Sequence, residues 1–225
     1  MHTDPAAGDR PVRRLAVIGI GAGDPGFLTL QAIDAIGRVD VFIRFAKAGD
    51  DDEPAALRAL VTSRHGREGH RLVSIADPVR RSGGGYERAV VDWHHERADL
   101  LASTLTHSVA DGETAAILVW GDPSLYDSTL RLVDTVVASG AIDLSCEVVP
   151  GISSIQVLAA RHRVPLNRIG QPVLVTTGRR LAAGLPDGVE DAVVMLDGGT
   201  AFTTLVGAGY EIFWGAYLGL SLIHI

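Results

Sequence analysis

The sequence predicts an α/β protein built as two α/β domains, and three observations predict it. Apolar runs at residues 15–20, Thr114–Val119 and Leu144–Val149 have the length and apolarity of strands buried on both faces. Each run ends in a turn bearing glycine or proline, and apolar residues at helical spacing follow the turn. Residues 165–172, with two prolines, Asn167 and Gly170, read as a linker between an N-terminal domain over 1–166 and a smaller C-terminal domain over 167–225. Strands that alternate with helices belong in a parallel sheet, where ligands bind at the carboxyl ends of the strands.

In chain order, residues 15–20 form a central strand. Gly21-Ala22-Gly23-Asp24-Pro25-Gly26 follows and opens a helical pattern over 27–36. Read literally this is G-x-G-x-x-G, with Asp40 as a candidate ribose acid, which raises a nicotinamide or flavin oxidoreductase. Two features weigh against it. Pro25 lacks an N–H where a dinucleotide loop offers one, and Asp40 opens the second strand, 39–45, where a ribose acid closes it. The acidic segment 48–54 carries adjacent carboxylates on one loop and reads as a solvated helix start. A helix over 55–63, a strand over 71–75 and a loop over 77–85 with Arg80 and Arg81 come next.

A long amphipathic helix over 86–109 places Tyr86, Val90, Trp93, Arg97, Leu100 or Leu101, and Leu105 on one stripe, which reads as core. His94 and His95 are adjacent on it, about 100° apart, and cannot chelate one metal together; no metal site is expected. The strand Thr114–Val119 then runs into Trp120-Gly121-Asp122-Pro123-Ser124-Leu125-Tyr126-Asp127, with a helix expected over 124–139. Gly121 permits close backbone approach and Pro123 stiffens the exit. The strand Leu144–Val149 ends in Pro150-Gly151-Ile152-Ser153-Ser154, so Asp122, Ser153 and Ser154 are expected to face one crevice. A lone Gly-Asp-Pro reads as a tight turn. Two such turns after successive buried strands point to a site. The second domain is expected from strands at 173–177 and 192–196, a helix over 200–206 and a segment at 211–218, with Asp197-Gly198-Gly199 as a flexible turn at a strand end.

Composition narrows the partners. A net charge of −7 argues against non-specific binding to nucleic acid or an anionic membrane, both of which need a positive field. Cys146 is the only cysteine, which excludes a disulfide framework and fits a reducing cytoplasm. No run approaches the ~18 apolar residues of a membrane-spanning helix, and residues 1–11 lack the apolar core of a signal peptide.

Three stretches resemble, in order and spacing, the signatures of the tetrapyrrole methyltransferases: Ile18-Gly19-Ile20-Gly21-Ala22-Gly23-Asp24-Pro25-Gly26-Phe27-Leu28-Thr29-Leu30, Gly121-Asp122-Pro123-Ser124-Leu125-Tyr126, and Val149-Pro150-Gly151-Ile152-Ser153-Ser154. The helix opening Tyr86-Glu87-Arg88-Ala89-Val90-Val91-Asp92-Trp93-His94 and the segment Trp214-Gly215-Ala216-Tyr217-Leu218-Gly219 look most like the members that act on a precorrin in the aerobic cobalamin route. The resemblance implies S-adenosyl-L-methionine in the cleft between two α/β domains. Carried over motif by motif, Ala22, Trp120, Gly121, Asp122, Ser153, Ser154, Leu196 and Ala216 line its site. A tetrapyrrole substrate, a homodimer and C1 methylation of precorrin-5 with loss of an acetyl group as acetate are also implied. Another precorrin step is the neighbouring alternative.

Displacement at a sulfonium methyl needs alignment and shelter more than a strong base. Loss of an acetyl group needs water attack on a carbonyl, hence a base. His94, Asp122 and Tyr126 are equal candidates, so no catalytic residue is assigned. Some relatives carry an acid after the second strand, where this chain has Arg44-Phe45. Substrate carboxylates in an acidic protein call for a local arginine cluster, for which Arg44, Arg80, Arg81 and Arg88 are the choices. Family members continue past Leu220, so the C-terminal domain is expected to lack its final elements, with the strand near Ala216 missing a neighbour. An oxidoreductase using residues 21–26 and a nucleotide-sensing module with a dead site remain as competing classes.

Overall fold

The computed structural model describes residues 11–46, 53–79, 86–219 and 223–224. Contacts gather the chain into two compact units, Met1–Ser153 and Ser154–Ile225. In the first unit, β1 (Arg13–Gly19), β2 (Val41–Ala46), β3 (Arg71–Ala76), β4 (Thr114–Val119) and β5 (Leu144–Val149) alternate with α1 (Leu30–Ile36), α2 (Glu53–His65), α3 (Tyr86–Ser108) and α4 (Thr129–Ser139). The sheet order is β3-β2-β4-β1-β5, and every pairing is parallel.

The continuous apolar runs resolve into two cores with a period of two. Ala16, Ile18, Ala116 and Leu118 face Ala32 and Ile36 of α1 and Leu57 and Val61 of α2. Leu15, Val17, Ala115 and Ile117 face Leu101 and Leu105 of α3 and Leu132 and Val136 of α4. Side chains alternate across a strand, so a strand covered by helices on both faces must be apolar at every position. Each fully buried Leu or Ile contributes about 1.5–3 kcal/mol relative to exposure.

The structure departs from expectation in three places here. β5 is not buried on both faces. It pairs only with β1 among the described residues, and Ser145, Cys146, Glu147 and Val148 are exposed while Val149 is buried. The helix after β4 starts at Thr129, not at 124, because side chains engage the backbone of the turn. Asp122 Oδ1 accepts from Ser124 N at 2.8 Å, and Asp127 Oδ1 accepts from Thr129 N at 2.6 Å. The helix after β1 is likewise shortened. A 3-10 turn, Pro25–Phe27, comes first, and Thr29 caps α1 by accepting from Ala32 N at 3.0 Å.

The second unit contains α5 (Ser154–His162), β6 (Leu174–Thr177), α6 (Gly178–Leu181), β7 (Ala192–Met195), a 3-10 turn (Ala201–Leu205), β8 (Gly215–Ala216) and β9 (Ile223–His224). β6 and β7 pair in parallel, and β8 and β9 pair antiparallel. Ala216 thus has one strand neighbour, Ile223, in a sheet of two strands. The helix expected over 200–206 is a 3-10 turn, and the segment 211–218 condenses to a two-residue strand. No described helix is long and apolar enough to cross a membrane.

Candidate cofactor site at the strand ends

β1 lies between β4 and β5, so the loops that leave these three strands emerge side by side. Gly21 and Gly121 join two of them through a small antiparallel bridge. Gly121 N donates to Gly21 O at 2.9 Å and Gly21 N to Gly121 O at 3.3 Å. Both residues need positive φ, 79° and 73°, which glycine adopts without a Cβ clash. Gly151 closes the third side. A Cβ there would lie 2.1 Å from Gly121 O, and one on Gly19 would lie 2.6 Å from Gly151 N, so the backbones touch directly.

Asp122 fastens this arrangement. Its Oδ2 accepts from Gly151 N at 2.9 Å, while Oδ1 accepts from the backbone N–H and the hydroxyl of Ser124. Burial alone would raise the Asp122 pKa. The hydrogen bonds from the Ser124 hydroxyl and from the Gly151 and Ser124 backbone outweigh burial and leave the carboxyl below its ordinary range. A carboxylate held in its ionised form is a weak base, which argues against Asp122 as the base for deacetylation.

Around this point the structure brings together Ala22, Trp120, Gly121, Asp122 and Ser153. Ala22 and Ser153 are buried, and Trp120 packs against the core on the α1 and α2 side. A Cβ on Gly121 would lie 3.8 Å from Ser153 Cα, so no neighbour crowds that face. Ser154, Leu196 and Ala216 belong to the second unit. Ser154 opens α5, Leu196 follows β7 and Ala216 ends β8. Leu196 is 71% exposed and holds φ at 53°, a left-handed conformation that costs a leucine roughly 1–2 kcal/mol. Tyr217, next to Ala216 in the chain, also sits at positive φ, as do Tyr126, Arg163 and Thr200. Such outliers gather at ligand sites, where surrounding structure holds them.

The dinucleotide reading fails on geometry. Asp40 precedes β2 at the amino end of the sheet, opposite the glycine loops, where it accepts from Thr114 N at 2.9 Å and pairs with Arg67. Asp24 Oδ1 takes the Gly26 N–H at 2.7 Å, so the loop closes on itself. Of the base candidates, His94 is half-buried with its ring edge-on to Trp93 at 5.0 Å, and Tyr126 is 44% exposed.

The proposed arginine cluster is described only in part. Arg44 donates through Nε to Ser74 on the neighbouring strand at 2.9 Å. Arg80 and Arg81 lie outside the described residues, as do the Arg88 side chain and the stretch 47–52 of the acidic loop. Sequence reasoning missed Arg97 and Asp77, whose Nε and Oδ1 stand 3.1 Å apart with little exposure. Burial pulls the Arg97 pKa down while Asp77 and Asp127 push it back up. Two signals were there to find. Asp77-Pro78 repeats, directly after a strand, the Asp-Pro of Asp24-Pro25 and Asp122-Pro123, and an arginine stood on the apolar stripe of α3.

These features define a doubly wound α/β protein with a candidate site made of backbone and small residues at the carboxyl ends of β1, β4 and β5. Residues 14–208 match the family model of the tetrapyrrole (corrin/porphyrin) methylases, and the chain belongs to that family. It is 44% identical over 210 residues to precorrin-6A synthase (deacetylating) of Sinorhizobium sp, covering 92% of this chain and 80% of the relative. The precorrin-2 C(20)-methyltransferase of Sinorhizobium sp is 31% identical over 193 residues, covering 82% and 73%. Among solved structures, the cobalamin synthesis related protein (CobF) from Corynebacterium diphtheriae superposes with a TM-score of 0.77 at 36% identity, covering 95% of this chain and 84% of that one.

Proposed function

We propose that this chain is an S-adenosyl-L-methionine-dependent C-methyltransferase of cobalamin biosynthesis that methylates precorrin-5 at C1, releases the acetyl group as acetate and yields precorrin-6A. The observation that carries this reading is the 44% identity, over 92% of the chain, to a relative named for that reaction. The glycine loops support it, because they supply what the methyl donor asks of a protein. Its methionine and adenosine parts need backbone donors and acceptors at close range, and Gly121 offers an uncrowded face beside the buried Ala22 and Ser153.

Ala22, Trp120, Gly121, Asp122 and Ser153 would hold the donor, with Ser154, Leu196 and Ala216 completing the set. When bound, S-adenosyl-L-methionine supplies an electrophilic methyl on a cationic sulfonium. The ionised Asp122, through its hydrogen bonds to Ser124 and Gly151, keeps the two turns in register and adds a negative potential favourable to a cation. The electron-rich macrocycle carbon supplies the nucleophile. In the deacetylation, water adds to the acetyl carbonyl, the bond from that carbonyl to the ring breaks, its electron pair stays with the macrocycle, and acetate leaves. A homodimer accords with the family resemblance, and a single cysteine, Cys146, fits a reducing cytoplasm.

The test combines binding and product analysis. Calorimetry should show S-adenosylhomocysteine binding, and incubation with precorrin-5 and methyl-labelled donor should give a C1-methylated product with one acetate released per turnover. A bound donor with methylation of precorrin-2 instead would move the chain to another step of the route. Failure to bind S-adenosylhomocysteine at all would end the methyltransferase reading.

A further inference from the structure

We infer that Arg97 is an anchor for a carboxylate of the tetrapyrrole substrate, placed at the carboxyl ends of β2 and β3. The inference rests on the methyltransferase reading above. Arg97 projects from α3 with its guanidinium carbon 4.0 Å from the centroid of the Phe45 ring and 4.5 Å from that of Trp93. Phe45 is next to last in β2, and Asp77 directly follows β3, so the guanidinium sits at the same edge of the sheet as the glycine loops. Asp127, in the turn after β4, also acts on its charge. Trp93 is itself held, donating through Nε1 to Pro78 O at 2.8 Å.

The charge is preorganised. Side-chain exposure is 13% for Arg97 and 7% for Asp77, and although Nε and Oδ1 stand 3.1 Å apart, neither atom completes an aligned hydrogen bond. A guanidinium has five N–H donors in a planar fork, and one carboxylate oxygen beside Nε leaves the terminal Nη edge, which is the edge that takes a carboxylate bidentately. Aromatic rings beside it provide flat apolar surface of the kind a macrocycle covers. In a chain of net charge −7, a substrate bearing many carboxylates needs such a local cation. A buried ion pair that merely tied α3 to β3 is the competing account, since removing one partner of such a pair also destabilises a fold.

The experiment uses uroporphyrin, an octacarboxylate macrocycle, and its octamethyl ester as probes, titrated by fluorescence against the full chain saturated with S-adenosylhomocysteine. Arg97→Gln should weaken uroporphyrin binding at least about tenfold, or 1.4 kcal/mol, with Arg97→Lys between it and the wild type. Ester binding and S-adenosylhomocysteine affinity should not change. Asp77→Asn, nearly isosteric, removes the competing carboxylate and should tighten uroporphyrin. Wild-type affinity for uroporphyrin in Arg97→Gln, or no tightening in Asp77→Asn, overturns the anchor. So does loss of both ligands together with a lowered melting temperature in Arg97→Gln, which marks a purely structural pair. If the wild-type chain binds S-adenosylhomocysteine but not uroporphyrin, the anchor fails and the methyltransferase reading stands. If it binds no S-adenosylhomocysteine, that reading itself fails.

Discussion

The Asp122 carboxylate accepts a 2.9 Å hydrogen bond from the backbone N–H of Gly151 and so ties the turn after β4 to the turn after β5. Because the folded-state pKa is depressed, the stabilisation is fully present above the unfolded carboxylate value and is lost as pH falls through the lower folded value. Asp122→Asn keeps an acceptor but loses the charge. It should lower stability at neutral pH by about 1 kcal/mol, or roughly 2–4 °C in melting temperature for a chain of this size. That deficit should begin to shrink below about pH 4, where the unfolded chain's carboxylate takes up its proton first, and should vanish once the folded carboxyl, held lower, protonates as well. Calorimetric melts of both proteins across this range check it, and parallel profiles at every pH would refute it. Asp122→Ala should also weaken S-adenosylhomocysteine binding at least about tenfold.

Two glycines of the same cluster should respond differently to alanine. In Gly151→Ala the new Cβ meets the Gly121 carbonyl oxygen at 2.1 Å, backbone against backbone, so a turn must move. The cost should reach or exceed about 1–3 kcal/mol. In Gly121→Ala the Cβ has its nearest neighbour at 3.8 Å, and the penalty is the positive φ of 73° alone, roughly 1–2 kcal/mol. Urea midpoints should therefore rank wild type above Gly121→Ala, and Gly121→Ala above Gly151→Ala. The reverse order for the two variants would contradict the packing of the three loops.

Asp40 separates the methyl-donor reading from the dinucleotide one. Asp40→Asn should cost stability, about 1 kcal/mol, through its contacts with Thr114 N and Arg67. Affinity for S-adenosylhomocysteine should be unchanged, because the residue lies at the amino end of β2. Titration of the variant with S-adenosylhomocysteine, and of the wild type with NAD, gives the answer. A variant with impaired binding, or a wild type that binds NAD, would count against the assignment.

Leu196 should show a trade between stability and binding. Leu196→Gly relieves the cost of holding φ at 53°, and the side chain is exposed, so little packing is lost. Hydrogen exchange around β7 should become slower or stay equal, while S-adenosylhomocysteine binding weakens. Faster exchange together with intact binding would show that the side chain serves packing instead of a ligand.

The strands and their turns were legible in the sequence because their causes are local. The bounds Thr114–Val119 and Leu144–Val149 follow from runs rich in apolar residues, the second interrupted by Ser145 and Glu147, that meet glycine or proline, and Gly121 and Gly151 stand out as the residues that permit turns where backbones meet. Strand order was not legible. Parallel pairing joins segments a hundred residues apart, as in Leu15 beside Ala115, and no local pattern says that β1 lies between β4 and β5. Only that order makes β5 an edge strand with an exposed Cys146, and only it brings Gly19, Gly121 and Gly151 into contact. Likewise, spacing placed Arg97 on the buried stripe of α3, but charge there has meaning only through Phe45 of β2 and Asp77 in the turn after β3, which the folded sheet brings beside it. Apolar burial depends on composition along one element, whereas a polar contact depends on which elements the tertiary structure sets face to face.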